Sequence, residues 1–222
     1  MAILAVTGLR AEGLIARRAG FAILCAGGNP AHTDSMLGQA IGAGKASGLL
    51  SFGIAGGLMP GLVPGRPVVA SAVIASDGTR YSVDEIWRAR LHDHLGVAVE
   101  GDVFGADAIV ATTTEKAALH ARTGALAVDL ESAVVARAAE RAGLPFMVIR
   151  AIADPADRTL PAAARIALTP DGRPDLRAIF HSVLMEPGQI GALIRLARET
   201  RRALQALTSA AATAAPLLSA PR

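Results

Sequence analysis

Cysteine is nearly missing from this chain of 222 residues: Cys25 stands alone. One thiol excludes an internal disulfide framework and any zinc site built on several cysteines, and a reducing, cytoplasmic compartment is the expected setting. Aromatic residues make up only 3%. A surface that reads single-stranded nucleic acid by stacking needs several of them together, so that class is excluded. Lysine is rarer still, with Lys45 and Lys116 the only two among 22 basic residues. Set against 19 acidic residues, the formal net charge is +3, too small a surplus to imply a nucleic-acid partner. Long apolar runs are lacking too. No stretch of about 18 residues is free of glycine, proline and charge, so no membrane span is expected. The opening Met1–Val6 has no basic region before its apolar residues and does not read as a signal peptide.

What remains is a chain 52% apolar, which excludes intrinsic disorder and leaves Ala, Val, Leu and Ile to fill a core. Short apolar runs at 3–6, 21–26, 49–54, 68–74, 125–128 and 146–152 read as buried strands. Helical patterns fall at 9–18, 31–45, 112–122 and 132–141, with Thr112 or Thr113 as N-cap and Glu115 in the first turn of the third. A long helix is expected from Pro187 to Leu207, and the Ala/Ser/Thr/Pro-rich residues 208–222 are expected to fray. Strands alternating with helices predict one α/β domain over 1–207, with a central mixed, largely parallel sheet flanked by helices. Such sheets place ligands at the carboxyl ends of their strands.

Some motifs carry little. Gly42-Ala-Gly-Lys45 lacks both the spacing and the hydroxyl of a phosphate-binding loop. His92 and His94 read as solvated, and Cys25 as a small buried hydrophobe.

Three strand ends say more. Ser51-Phe-Gly-Ile-Ala-Gly-Gly57 runs into paired glycines, which let a backbone approach a ligand closely. Ala127-Val-Asp-Leu-Glu131 feeds a helix with two carboxylates at the junction. Val148-Ile-Arg-Ala-Ile-Ala-Asp154 is a buried strand ending in an acid. A parallel crossover between the last two would put Glu131 and Asp154 on one sheet edge.

Together these segments resemble the nucleoside phosphorylase and nucleosidase superfamily, which includes methylthioadenosine/S-adenosylhomocysteine nucleosidase. Phe52-Gly-Ile-Ala-Gly-Gly57 and Asp154-Pro-Ala-Asp-Arg-Thr-Leu-Pro161 are similar to the hopanoid-associated phosphorylase branch, whose members are thought to remove adenine from adenosylhopane. The resemblance implies cleavage of a purine N-glycosidic bond, with Asp154 protonating the departing base and Glu131 gripping the ribose hydroxyls. Glu12 would orient the attacking water. Leu130, Ile109, Val110 and Gly56 would line the nucleoside site, with Ile109 and Val110 on a base-binding strand. Gly8, Arg10, Gly27 and Gly28 would hold a phosphate, so inorganic phosphate enters as a co-substrate if the reaction is phosphorolytic. Ile54 replaces the family's Ser at that water or phosphate site, and Ala153 replaces the Ser before the acid. No metal or organic cofactor is implied, and a homodimer is expected. Glu12 points to hydrolysis, Arg10 to phosphorolysis.

Two further readings are a nucleosidase for soluble methylthioadenosine-like substrates and a non-catalytic nucleoside-binding protein. The last helix, with Ile190, Leu193, Ile194, Ala197, Leu204 and Leu207 among Arg195, Arg198, Arg201 and Arg202, could pack on the domain or lie on the anionic inner membrane. Residues 158–168 are expected to wall the site.

Overall fold

The computed structural model describes residues 2–166, 169 and 172–219. The chain forms strands β1 (Ala2–Thr7), β2 (Ala22–Cys25), β3 (Ala46–Gly57), β4 (Pro67–Ala75), β5 (Arg80–Ser82), β6 (Val99–Gly105), β7 (Ala127–Asp129) and β8 (Phe146–Asp154), of which β5 and β6 fall outside the six apolar runs. Between them lie helices α1 (Arg10–Arg18), α2 (Pro30–Gly42), α3 (Glu85–His94), α4 (Thr113–Thr123) and α5 (Ser132–Ala142), followed by α6 (Leu176–Met185) and α7 (Ile190–Ser219).

Local chemistry sets the helix ends. Asn29 accepts the His32 N–H to open α2 just before Pro30, and Thr112 and Glu115 close a reciprocal cap on α4. Gly124 and Gly143 stop α4 and α5 in the left-handed conformation.

The sheet runs β2-β1-β3-β7-β6-β4-β5, and β8 pairs with both β3 and β4. The pairs β3–β7, β7–β6, β6–β4, β4–β8 and β8–β3 therefore close a ring of five strands. Five neighbouring pairs are parallel, while β3–β7, β4–β5 and β4–β8 are antiparallel. Every residue of β8 is buried. Helix α5 packs a face of Ala and Val on β3, β4, β6 and β8, and α7 packs along β8.

Three expectations need correction. First, β7 and β8 are not neighbours in a parallel crossover: β7 runs antiparallel to β3, to which β8 is parallel. Twelve-residue β3 serves both, pairing with β8 along its length and with β7 only at Gly56–Gly57. Second, residues 208–219 do not fray; they extend α7, and Ala210, Ala211, Ala214 and Leu218 are buried in the main core. Alanine at helical spacing lets the helix lie close to the sheet, so a composition that suggests a tail is here a packing face. The final three residues lie outside the described set. Third, residues 107–110 are not strand, because β6 ends at Gly105 and the chain turns.

No helix among the described residues is long and apolar enough to cross a membrane.

Candidate active site

The site begins where β1 ends. The chain turns at Gly8 into α1, and Glu12 lies in that helix's first turn. Its Oε2 accepts the Leu9 N–H at 2.8 Å, and its Oε1 accepts the Ile54 N–H of β3 at 2.8 Å. Ile54 thus stays in the site through its backbone, despite lacking the hydroxyl. Glu12 is buried, and burial pushes its carboxyl above the ordinary range; the Ile54 and Leu9 N–H groups and the Arg150 charge oppose that rise.

The second part forms at the exit of β7. Asp129 Oδ1 accepts the N–H groups of Glu131 (3.0 Å) and Ser132 (2.8 Å), a local turn that ends the strand and starts α5. Arg150 sits fully buried inside β8, an environment a charge tolerates only when paired. Its Nε lies 2.6 Å from Asp129 Oδ2, its Nη2 donates to Ser51 Oγ at 2.5 Å, and Glu131 Oε2 is 3.4 Å away. Burial pushes the Glu131 carboxyl up to about 7; Arg150 opposes this, while Asp129 and Glu12 add to it. A Cβ at Gly8 would collide with Glu131 Oε1 and would lie 3.7 Å from the Gly28 Cα. The Gly8 turn, the Gly28 turn, Glu12 and Glu131 therefore meet.

The third part is Asp154, the last residue of β8. Lys116 of α4, with no solvent exposure, donates to Asp154 Oδ2 at 2.5 Å and to the carbonyls of Pro155 and Arg158 at 3.0 Å each. All three ammonium protons are used. Burial pushes the Asp154 carboxyl up to about 6, with Lys116 holding it down and Glu199 of α7 pushing it up. A Cβ at Gly56 would press to 3.2 Å from Asp154 Oδ2. Gly56 is two residues from Ile54 on β3, about 7 Å along the strand. One strand end thus presents Glu12 through Ile54 and Asp154 through Gly56.

The remaining expected residues are less uniform. Leu130 and Val110 are half-buried and pack on an apolar cluster with Phe104, Leu119 and Val128. Ile109 is 39% exposed on the turn after β6. Gly27 and Gly28 follow β2 in successive left-handed conformations. Arg10 opens α1 as an exposed residue, and its N–H donates to the Gly172 carbonyl at 2.9 Å. Gly172 also packs against Gly8 O and Cys25 Sγ, so its segment straps over the expected anion loops. The 158–168 segment is tied down by Leu160 N–H to Ala111 O (2.8 Å) and Ala163 N–H to Gln189 Oε1 (2.9 Å). Residues 167 and 168 of that expected wall lie outside the described residues.

Two residues of the cluster escaped the sequence reading, Lys116 and Arg150, and Asp129, noted there as one of two junction carboxylates, was given no role. Arg150 had a signal, a lone charge inside a buried apolar run. Lys116 had none, since it lies in a helix with polar neighbours. Among the described residues no group of three or more His, Cys, Asp or Glu is arranged to hold a metal ion.

Three solved structures share this architecture at 18% identity. The futalosine hydrolase of Helicobacter pylori aligns with a TM-score of 0.72, covering 96% of each chain. The 5′-methylthioadenosine/S-adenosylhomocysteine nucleosidase of Neisseria meningitidis, in complex with methylthio-immucillin-A, gives 0.71 over 96% of this chain and 98% of its own. The S-adenosylhomocysteine nucleosidase of Streptococcus pyogenes, in complex with 5-methylthiotubericidin, gives 0.68 over 96% of each. At this identity the likeness establishes the fold. No curated protein matches the sequence. The family model of the phosphorylase superfamily matches residues 18–184, most of the chain, and so the protein belongs to the phosphorylase superfamily.

Proposed function

We propose that the protein hydrolyses the N-glycosidic bond of a purine nucleoside and releases adenine. The observation that carries this reading is the pairing of an acid with a carboxylate cluster at one strand end. Asp154, with its carboxyl near 6, can hold a proton close to neutrality, while Glu12 and Glu131 sit beyond Gly56 and Ile54.

Asp154 gives its proton to N7 of the purine, and the C1′–N9 electron pair leaves with the base. Positive charge grows on the ribose, and ionised Glu131 binds the sugar hydroxyls and stabilises that charge. Water held by Glu12 adds to C1′, and its proton passes to the Glu12 carboxylate. The neutral base departs with the proton Asp154 supplied, and the site resets by proton exchange with solvent.

Hydrolysis is favoured over phosphorolysis on electrostatic grounds. Glu12, Asp129 and Glu131 surround one cation, and Arg150 already spends its guanidinium on Asp129 and Ser51. A phosphate dianion beside them would meet their repulsion with Arg150 already engaged, and Arg10, the cation expected to hold it, is exposed at the start of α1.

The substrate class we propose is an adenosine with a bulky apolar 5′ group, a lipid-linked nucleoside of which adenosylhopane is the specific candidate. Its support is the resemblance of residues 52–57 and 154–161 to the hopanoid-associated branch. A homodimer follows from the same resemblance.

The test is chromatography of free adenine after incubation with adenosylhopane in detergent, or with methylthioadenosine, each with and without phosphate. Adenine release without phosphate, lost in Asp154→Asn, is expected. Strict dependence on phosphate would turn the reading to phosphorolysis, and an unimpaired Asp154→Asn enzyme would remove the assigned acid.

A further inference from the structure

Among the described residues, six of the eleven exposed large apolar side chains fall between Leu176 and Ile194. On α6, Leu176, Phe180 and Leu184 recur every four residues and so share one face; they are 75%, 65% and 61% exposed. Met185 follows at 71%, and Ile190 and Ile194 continue the apolar surface on the outer face of α7. No residue of α6 is buried. A cluster of this kind costs solubility unless something covers it.

The surrounding charge says what covers it. Arg177 borders the α6 stripe, and Arg198 and Arg201 extend the Ile190–Ile194 face of α7 at helical spacing. All three are exposed, and none makes an ion pair among the described residues. The acids nearby are otherwise engaged or outnumbered. Among the described residues, Asp175 caps α6 through the N–H groups of Arg177 and Ala178, Glu199 is buried against Arg158, and Glu186 stands at the tip. Along α7 the outer surface changes from apolar at the tip to basic about 12 Å further along. A second copy meeting this face about a twofold axis would bring like arginines together. An anionic lipid surface would not, because apolar side chains enter the acyl boundary while arginines reach the headgroups.

We propose that the α6–α7 hairpin docks on an anionic bilayer surface, with Phe180, Leu184 and Met185 inserted and Arg177, Arg198 and Arg201 at headgroup level. The hairpin is also joined to the site. Gln189 at its turn holds Ala163 of the wall, and the segment leading into α6 carries Gly172 against the Gly8 turn. Docking would bring the mouth of the site to the lipid. The inference stands on the exposed face and holds whichever nucleoside is cleaved.

The test is flotation of the full chain with vesicles of phosphatidylcholine, alone or with roughly one third phosphatidylglycerol. Binding is expected to the anionic vesicles, to weaken with salt, and to fall about tenfold or more in Phe180→Glu/Leu184→Glu. Thermal unfolding of that variant checks its fold. Phe180→Trp supplies a reading without a new charge: its emission should move to the blue on anionic vesicles, above the constant signal of buried Trp87. Three outcomes overturn the proposal. They are no flotation of the wild type, no spectral shift of Phe180→Trp, or a dimer that becomes a monomer in the double variant while vesicle binding is absent. The last would assign the face to a second copy.

Discussion

Lys116 shows how one residue can set the working range of another. A buried carboxylate without a partner would hold its proton well above neutrality. Lys116 restrains that tendency at Asp154, against Glu199 on the facing helix, whose own partner is Arg158. Lys116→Met should therefore raise the Asp154 carboxyl further above about 6. Because Asp154 must be protonated and Glu131 ionised to act, activity in the wild type is bell-shaped in pH and falls on the alkaline side as Asp154 loses its proton. The falling limb of the kcat profile should move to higher pH in Lys116→Met and stay in place in Lys116→Arg. A lysine that merely props up the 155–158 turn would lower kcat equally at every pH, so an unshifted limb would refute the role. Asp154→Asn, which cannot donate a proton, should lose about a hundredfold to ten-thousandfold in kcat with a smaller effect on KM. The candidate carboxylates were legible because glycine pairs and strand-end acids leave a pattern in the chain. The cation beside Asp154 was not, because it comes from a helix 38 residues away that the strand pattern cannot place.

At the scale of elements, uninterrupted apolar runs were legible, down to the short β2 and β7, and polar or interrupted ones were not. β3, β4 and β8 announce themselves through Val, Ile, Leu and Ala. β6 is broken by Glu100, Gly101 and Asp102, yet it pairs along both edges, with β4 and β7. Asp102 is answered by Ser71 at 2.6 Å and by Arg80, partners no local pattern reveals. α3 escaped for a different reason: it buries only Trp87 and Leu91. The end of α7 carries the sharpest test, because its composition suggested fraying. Ala214 has no solvent exposure. Ala214→Leu keeps helix propensity but has no room against the core, so it should destabilise the protein by about 1–3 kcal/mol in chemical unfolding. A frayed segment would tolerate the change, and an unaltered midpoint would count against the packed helix. Gly172 offers a second test. Its φ of +73° and its contact with Gly8 O oppose any side chain. Gly172→Ala should cost about 1–2 kcal/mol at this strap, read as faster amide exchange in residues 172–176.

For the whole molecule, the closed ring of strands gathers buried carboxyls that no single element would hold, and this links stability to pH. The folded-state values of Glu131 and Asp154 are raised from 4.5 to about 7 and from 3.8 to about 6. Between the ordinary and raised values the folded chain keeps protons that the unfolded chain has released. Stability therefore falls as pH rises across that window and levels off above it. Carboxylates shifted the other way, such as Asp102 and Glu115, act at lower pH: their contribution is complete above the ordinary carboxylate range and is lost as acid protonates them. The melting temperature should then decline from about pH 5 to pH 7 in the wild type. Glu131→Gln, which carries no charge at either pH, should flatten that decline and melt higher than the wild type at pH 7. Equal slopes in the two proteins would mean that Glu131 ionises without cost. The same variant should lose activity, because a neutral amide cannot stabilise a cationic ribose as a carboxylate does. Gain in stability with loss of turnover, in one substitution and at one pH, is the result expected of a carboxylate kept buried for chemistry rather than for the fold.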